Sequence, residues 1–126
     1  MTILDTNFII SLFNQADGNH EKAKDIFFSL DEDEKIKIPF IVAAELVLSD
    51  DSRKILEASK AICSKFLVSS EEDLAYISKI PVKTTRKLKA NDCLLIALCK
   101  RYDAELLTFD KSLKNQTQKF QSNGLR

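Results

Sequence analysis

The chain reads as an α/β protein: a parallel sheet lying between layers of helices. Short apolar stretches of strand length alternate with longer stretches whose apolar residues recur at helical spacing, which is the pattern of strand–helix–strand units. Glycine and proline number only two each in 126 residues, so most of the chain belongs to regular elements.

Taken in order, "TILD" at 2–5 reads as a short buried strand that runs straight into a helix from about Asn7 to Phe13. After a turn at "ADGN", "HEKAKDIFFSL" places Ala23, Ile26, Phe27 and Leu30 at helical spacing, with Asn19 as its N-cap. "DEDE" at 31–34 is a solvated loop, and "KIKI" at 35–38 alternates as a strand. Pro39 suits the first turn of the next helix, "FIVAAELVL". Ile55, Leu56, Ala58, Ile62 and Cys63 mark another helix, "FLVS" at 66–69 a third strand, and "SEEDLAYISKI" a helix with acids in its first turn. "NDCLLIALCKRY" is apolar nearly all round, hence a buried helix, and "ELLTFD" at 105–110 is a strand ending in a carboxylate. Crossovers between parallel strands are right-handed. Length and composition fit one domain over residues 1–126.

The net charge is zero, but residues 1–78 carry 8 Lys and Arg against 15 Asp and Glu, and residues 79–126 carry 11 against 4. Coating nucleic acid by bulk charge is therefore excluded, while a local basic surface is not. Cys63, Cys93 and Cys99 form no C-x-x-C pair and have no histidine nearby, so they read as reduced core thiols of a cytoplasmic protein. No stretch approaches the roughly 20 apolar residues of a membrane span, and no basic leader precedes an apolar segment.

Four acids sit where acids are costly. Asp5 lies between Leu4 and Phe8, Glu45 is the one polar residue of "FIVAAELVL", Asp92 opens the most apolar helix, and Asp110 closes the last strand. Each has a structural explanation: Asp5, Asp92 and Asp110 can cap the helices that follow them, and Glu45 can pair with a lysine. As a set they point elsewhere. Ligands of open α/β sheets bind beyond the carboxyl ends of the strands, where Asp5 and Asp110 both lie. Converging carboxylates raise one another's pKa unless a cation neutralises them, and clustered oxygens suit Mg²⁺ or Mn²⁺.

"LDTN" at 4–7, Glu45 in "AAEL", Asp92 in "ANDCLLIAL" and "LLTFD" at 106–110 resemble the four acidic motifs of the PIN-domain ribonucleases, in the family's order and at its spacing; the small single-domain size is most similar to VapC-type toxins of toxin–antitoxin systems. The resemblance implies a PIN-like three-layer sandwich whose central, mainly parallel sheet has four or five strands flanked by helices. It implies a Mg²⁺- or Mn²⁺-dependent endoribonuclease in which Asp5, Asp92 and Asp110 hold the metal directly or through water and Glu45 completes the acidic pocket. Asn7 and Thr108 match positions that shape that pocket. It also implies an antitoxin partner and a homodimer, with Phe13 and Phe28 as residues that face a partner subunit or antitoxin. After Asp92 the chain reads Cys93, Leu94, Leu95, Ile96, without the further carboxylate relatives often carry.

Directly before Asp92, "KIPVKTTRKLK" at 79–89 holds five cations and no acid. A site that cuts a polyanion needs positive charge beside it, so Lys83, Arg86, Lys87 and Lys89 are the candidate RNA-binding rim, extended by Lys111 and Lys114. His20, the sole histidine, reads as a surface residue. Three competing functions differ in what they require. A phosphoacceptor receiver domain needs paired acids after the first strand, where "LDTN" has one, and an aspartate ending a central strand, whereas Asp50 and Asp51 follow a helix. An inactive PIN-fold interaction module has no use for all four acids. A PIN nuclease of RNA maturation shares every motif with the toxin.

Overall fold

The computed structural model describes residues 1–49 and 53–123. Strand β1 (Thr2–Leu4) leads at once into helices α1 (Thr6–Phe13) and α2 (His20–Phe28). Strand β2 (Ile36–Lys37) is followed by α3 (Phe40–Leu48), α4 (Arg53–Ile62), α5 (Glu71–Ile77), the single turn α6 (Val82–Thr85) and α7 (Ala90–Tyr102). Strand β3 (Glu105–Leu107) and helix α8 (Lys111–Asn123) complete the described chain. Asp50 and Asp51 lie outside the described residues.

The strands are parallel in the order β2-β1-β3, with Thr2 beside both Ile36 and Glu105. The central β1 is paired on both edges, and Ile3 and Leu4 are fully buried. The stretch 66–69, expected as a strand, contributes one parallel bridge: Leu67 N–H donates to the Ile38 carbonyl at 2.9 Å, and the Leu67 carbonyl accepts from Phe40 N–H at 2.7 Å. Backbone groups alternate in direction along a strand. The Lys35 carbonyl faces β1, where it accepts from Thr2 N–H at 2.8 Å, so the Ile38 carbonyl faces outward and Leu67 lies on the far side of β2. Pairing goes no further because the partner segment turns into α3 at Phe40; on the side away from β2, the Val68 carbonyl accepts from Arg101 at 2.9 Å and Ser70 N–H donates to Asp73 at 2.8 Å. The described residues thus hold three strands where four or five were expected.

Right-handed crossovers from β1 outward to β2 and on to Leu67 place α1 to α4 on one face, and the return to β3 places the helices up to α7 on the other. The packing agrees: α1 lies against α2, α3 and α4, whereas α7 lies against α5 and α8. Phe8, Ile9 and Leu12 of α1 meet Val42 and Leu46 of α3 in the core, and Leu95, Ile96, Leu98 and Cys99 of α7 fill the other side. Helix α7 ends at Asp103, whose φ of 48° is the left-handed conformation that Asp tolerates better than most residues. Helix α8 buries Leu113, Thr117 and Phe120, one stripe at spacing four and three, and the Thr117 hydroxyl donates to the Leu113 carbonyl at 2.8 Å.

Two local expectations are corrected. Asn19 precedes α2 but makes no side-chain cap; Asp17 organises that turn, accepting from Asn19 N–H at 2.8 Å and from the Ser11 hydroxyl at 2.9 Å. His20 is half-buried, with Nδ1 2.8 Å from the Ser11 carbonyl, because it closes the same turn onto α1. The three cysteines are free and buried, and burial beside Asp5 pushes the Cys99 thiol up to about 12. Among the described residues no helix is long and apolar enough to cross a membrane.

Candidate functional site

The first and last acids meet because their strands are neighbours. Asp5 N–H donates to the Leu107 carbonyl at 3.0 Å, so both segments leave the sheet side by side at its carboxyl edge. Thr108 then ties them together. Its hydroxyl donates to Asp5 Oδ2 at 2.8 Å and accepts from Asn7 Nδ2 and Asp110 N–H, each at 3.1 Å. Asn7 Nδ2 also reaches Asp5 Oδ2 at 3.3 Å, and its Oδ1 accepts from Phe109 N–H at 2.9 Å. Both residues expected to shape the pocket therefore hold Asp5 in place. Phe109 stacks on Phe8 at 5.5 Å and anchors the same loop to the core.

Each aspartate of the cleft also serves the fold. Asp5 Oδ1 caps α1 through Thr6 N–H at 2.8 Å, and Asp110 Oδ1 accepts from Leu113 N–H at 3.0 Å across the first turn of α8. Asp92 Oδ2 accepts from Lys89 N–H at 3.3 Å, ahead of α7. Helix capping and membership of the cleft are both true of these residues.

Asp5, Glu45, Asp92 and Asp110 line one cleft of about 360 Å³, together with Asn7 and Lys89; Thr6, Ile10 and Asn91 complete its wall. A larger groove of about 480 Å³ beside α5, α6 and α7 is lined mainly by apolar side chains and, among the described residues, by no carboxylate, in contrast to the smaller, polar cleft. Burial raises the Asp5 carboxyl above its ordinary range. Hydrogen bonds from Thr108 and the Thr6 backbone oppose the shift, and the charges of Asp92 and Asp110 add to it. Burial and then the charge of Asp5 raise the Glu45 carboxyl, with Thr6 and Asn91 opposing. The acids thus feel one another across the cleft.

Among the described residues no three acidic, cysteine or histidine groups stand close enough to form a ready-made metal cage. Mg²⁺ and Mn²⁺ do not need one, since Mg²⁺ in particular takes one or two carboxylates and keeps several waters. The donors here are all hard oxygens. The Thr6 hydroxyl is buried in the cleft wall and lies near enough to Glu45 to favour its charged form, yet makes no hydrogen bond of acceptable geometry. An orphaned hydroxyl beside spaced carboxylates fits a hydrated divalent cation, whose waters supply the missing partner.

Of the basic candidates, Lys89 is in the cleft wall. Lys83 lies in α6, Arg86 ends it and Lys87 follows; all three are exposed and outside the cleft lining. Lys111 is exposed at the start of α8, and Lys114 is half-buried. Thr6 and Asn91 escaped the sequence reading, although each adjoins a named acid and faces Glu45. Their only signal was that adjacency.

The sequence model of the PIN domain family matches residues 2–118, and the chain belongs to that family. Among solved structures the fold is similar to Mycobacterium tuberculosis VapC20, described as a sarcin-ricin loop cleaving toxin, with a TM-score of 0.72 and 17% identity over 92% of this chain and 95% of that one. It is also similar to FitAcB from Neisseria gonorrhoeae, with a TM-score of 0.69 and 19% identity over 94% of each chain. At these identities the likeness is one of fold. No curated protein matches the sequence.

Proposed function

We propose that this protein is a Mg²⁺- or Mn²⁺-dependent endoribonuclease and the toxin of a VapBC-type toxin–antitoxin pair, acting in the cytoplasm as a homodimer. The observation that carries the reading is the meeting of four acids, from four segments far apart in sequence, in one cleft at the carboxyl edge of the sheet. VapC20, which shares the fold, is described as a sarcin-ricin loop cleaving toxin.

In this reading Asp5, Asp92 and Asp110 would hold the cation, directly or through its waters. When bound, the cation lowers the pKa of a water and offsets charge on the phosphate. Thr108 and Asn7 keep the Asp5 carboxylate aimed at the cleft. Glu45, with its carboxyl raised above the ordinary range, is placed to receive the proton of the attacking water. Cleavage leaves a 5′-phosphate and a 3′-hydroxyl. Lys83, Arg86, Lys87 and Lys89 flank the acids and hold the RNA backbone. Phe13 and Phe28 wall an apolar groove beside α1, α2 and α4, and Phe28 is 75% exposed; we assign that face to the antitoxin.

The test is cleavage of a panel of RNAs by the purified protein with EDTA, Mg²⁺ or Mn²⁺, beside Asp5→Asn. Metal-dependent cleavage lost in the variant supports the reading. No cleavage of any RNA, together with no cation binding by calorimetry, would overturn it.

A further inference from the structure

We propose that Lys89 is a catalytic residue, with its ammonium on the phosphate that is cleaved, and that the cations at 83–87 only hold the flanking backbone; the proposal rests on the nuclease reading above. Lys89 immediately precedes α7. Its carbonyl accepts from Cys93 N–H at 3.1 Å and its own N–H donates to Asp92 Oδ2 at 3.3 Å. The Lys89 backbone is thereby fixed to one of the acids of the cleft, while its side chain is exposed and forms part of the cleft wall. Among the described residues it is the one cation lining the cleft, against four carboxylates.

Among the described residues Lys89 forms no ion pair with those acids. A lysine rooted in the wall of an acidic cleft, with its side chain exposed and not tied to a carboxylate, is available to an incoming anion. Hydrolysis needs that charge: water oxygen bonds to phosphorus, the bond to the 3′ oxygen breaks, and negative charge grows on the non-bridging oxygens between those events. Three N–H donors on a stem rooted beside Asp92 meet that charge where it develops. Lys89 keeps its proton throughout, and the departing 3′ oxygen takes a proton from solvent. Lys83, Arg86 and Lys87 lie outside the cleft lining and act on the flanking backbone alone.

The experiment compares Lys89→Met, Lys89→Arg and Lys83→Met with the wild-type chain on a short RNA in Mn²⁺. Thermal unfolding of each variant confirms that the fold is kept. Lys89→Met is expected to lower kcat about 100-fold, the usual cost of losing one donor to developing charge. Its KM changes little, Lys89→Arg recovers part of kcat, and Lys83→Met raises KM at unchanged kcat with a shallower salt dependence. If Lys89→Met instead raises KM alone, as Lys83→Met does, the proposal is overturned while the nuclease reading stands. A second readout needs no turnover: binding of inorganic phosphate to the Mn²⁺-loaded protein. If no RNA is cleaved, phosphate binding lost in Lys89→Met keeps Lys89 as an anion contact of the cleft, and equal binding by both chains removes it.

Discussion

Replacing Asp5 by Asn and by Ala separates charge from hydrogen bonding at the most buried acid of the cleft. Asp5 is 7% exposed and its carboxyl is raised, first by burial and further by Asp92 and Asp110. An acid whose pKa is higher folded than unfolded contributes most below its unfolded value, and that contribution is lost as pH rises through the folded value. In the metal-free protein at neutral pH the Asp5 charge is therefore a net cost, worth about 1.4 kcal/mol for each unit by which its pKa is raised. Asn keeps most of what the fold uses. Its oxygen still accepts from Thr6 N–H, and caps of Asn and Asp are equivalent. Its NH₂ turns to the Thr108 hydroxyl, which then donates to Asn7 Oδ1, already 3.3 Å away, in exchange for the bonds Asn7 Nδ2 gives to Asp5 and to that hydroxyl. The loss is the difference between a charged and a neutral hydrogen bond, about 1 kcal/mol. Asp5→Asn is thus expected to unfold within about 1 kcal/mol of wild type, whereas Asp5→Ala, losing the cap and the Thr108 bond, falls about 2–3 kcal/mol below it. Urea unfolding in EDTA from pH 4 to 8 measures both, and the Asn variant should gain on wild type as pH rises. If that gain shrinks with pH, the Asp5 carboxyl is not raised by burial and its neighbours as described; if Asn costs as much as Ala, the cap and the Thr108 bond are not what Asp5 gives the fold.

Three further outcomes are expected. Thr108→Val removes a donor to a buried carboxylate and the acceptor for Asn7 and Asp110, so chemical denaturation should show a loss of about 2–4 kcal/mol at pH 7. That loss should narrow at acid pH, where Asp5 is protonated without the bond. Arg101→Met leaves Asp73, 1% exposed and 3.1 Å from the guanidinium, buried without its cation. A cost of about 3–5 kcal/mol is expected by the same assay, partly recovered by adding Asp73→Asn. Because the Asp5 and Glu45 carboxyls are raised, calorimetric titration with Mn²⁺ should show affinity that weakens as pH falls, starting above the ordinary carboxylate range. Protons are released on binding, and Asp92→Asn weakens the affinity at every pH.

The parts of the site that could be read from the sequence were those where a charge broke an apolar pattern. Asp5 within "ILDTNFII" and Glu45 within "FIVAAELVL" are costly unless they serve something, and Asp110 closes the apolar stretch "ELLTFD", although the strand itself ends three residues earlier at Leu107. Thr6 and Asn91 broke no pattern, since small polar residues are ordinary at the start of a helix. Only packing shows that both face Glu45. The strand expected at 66–69 is cut short by its partner: the segment it pairs with turns into α3 at Phe40, which leaves room for one bridge at Leu67. Most of α8 went unseen because its buried stripe is Leu113, Thr117 and Phe120, and a threonine in the middle hides the period until its hydroxyl is seen bonded to the turn before. His20 misled because an aspartate three residues earlier, not its own surroundings in sequence, folds it onto α1.

The Thr108 hydroxyl joins residues 5 and 7 to residue 110, across almost the whole described chain. During synthesis the first acid emerges among the earliest residues and the last only after more than a hundred others. Until residues 105–110 have left the ribosome, β1 lacks one of its two neighbours and Asp5 lacks the donor that aims it. A nascent chain therefore carries no assembled cleft, and whatever chemistry the cleft performs is silent until translation of the domain is nearly finished.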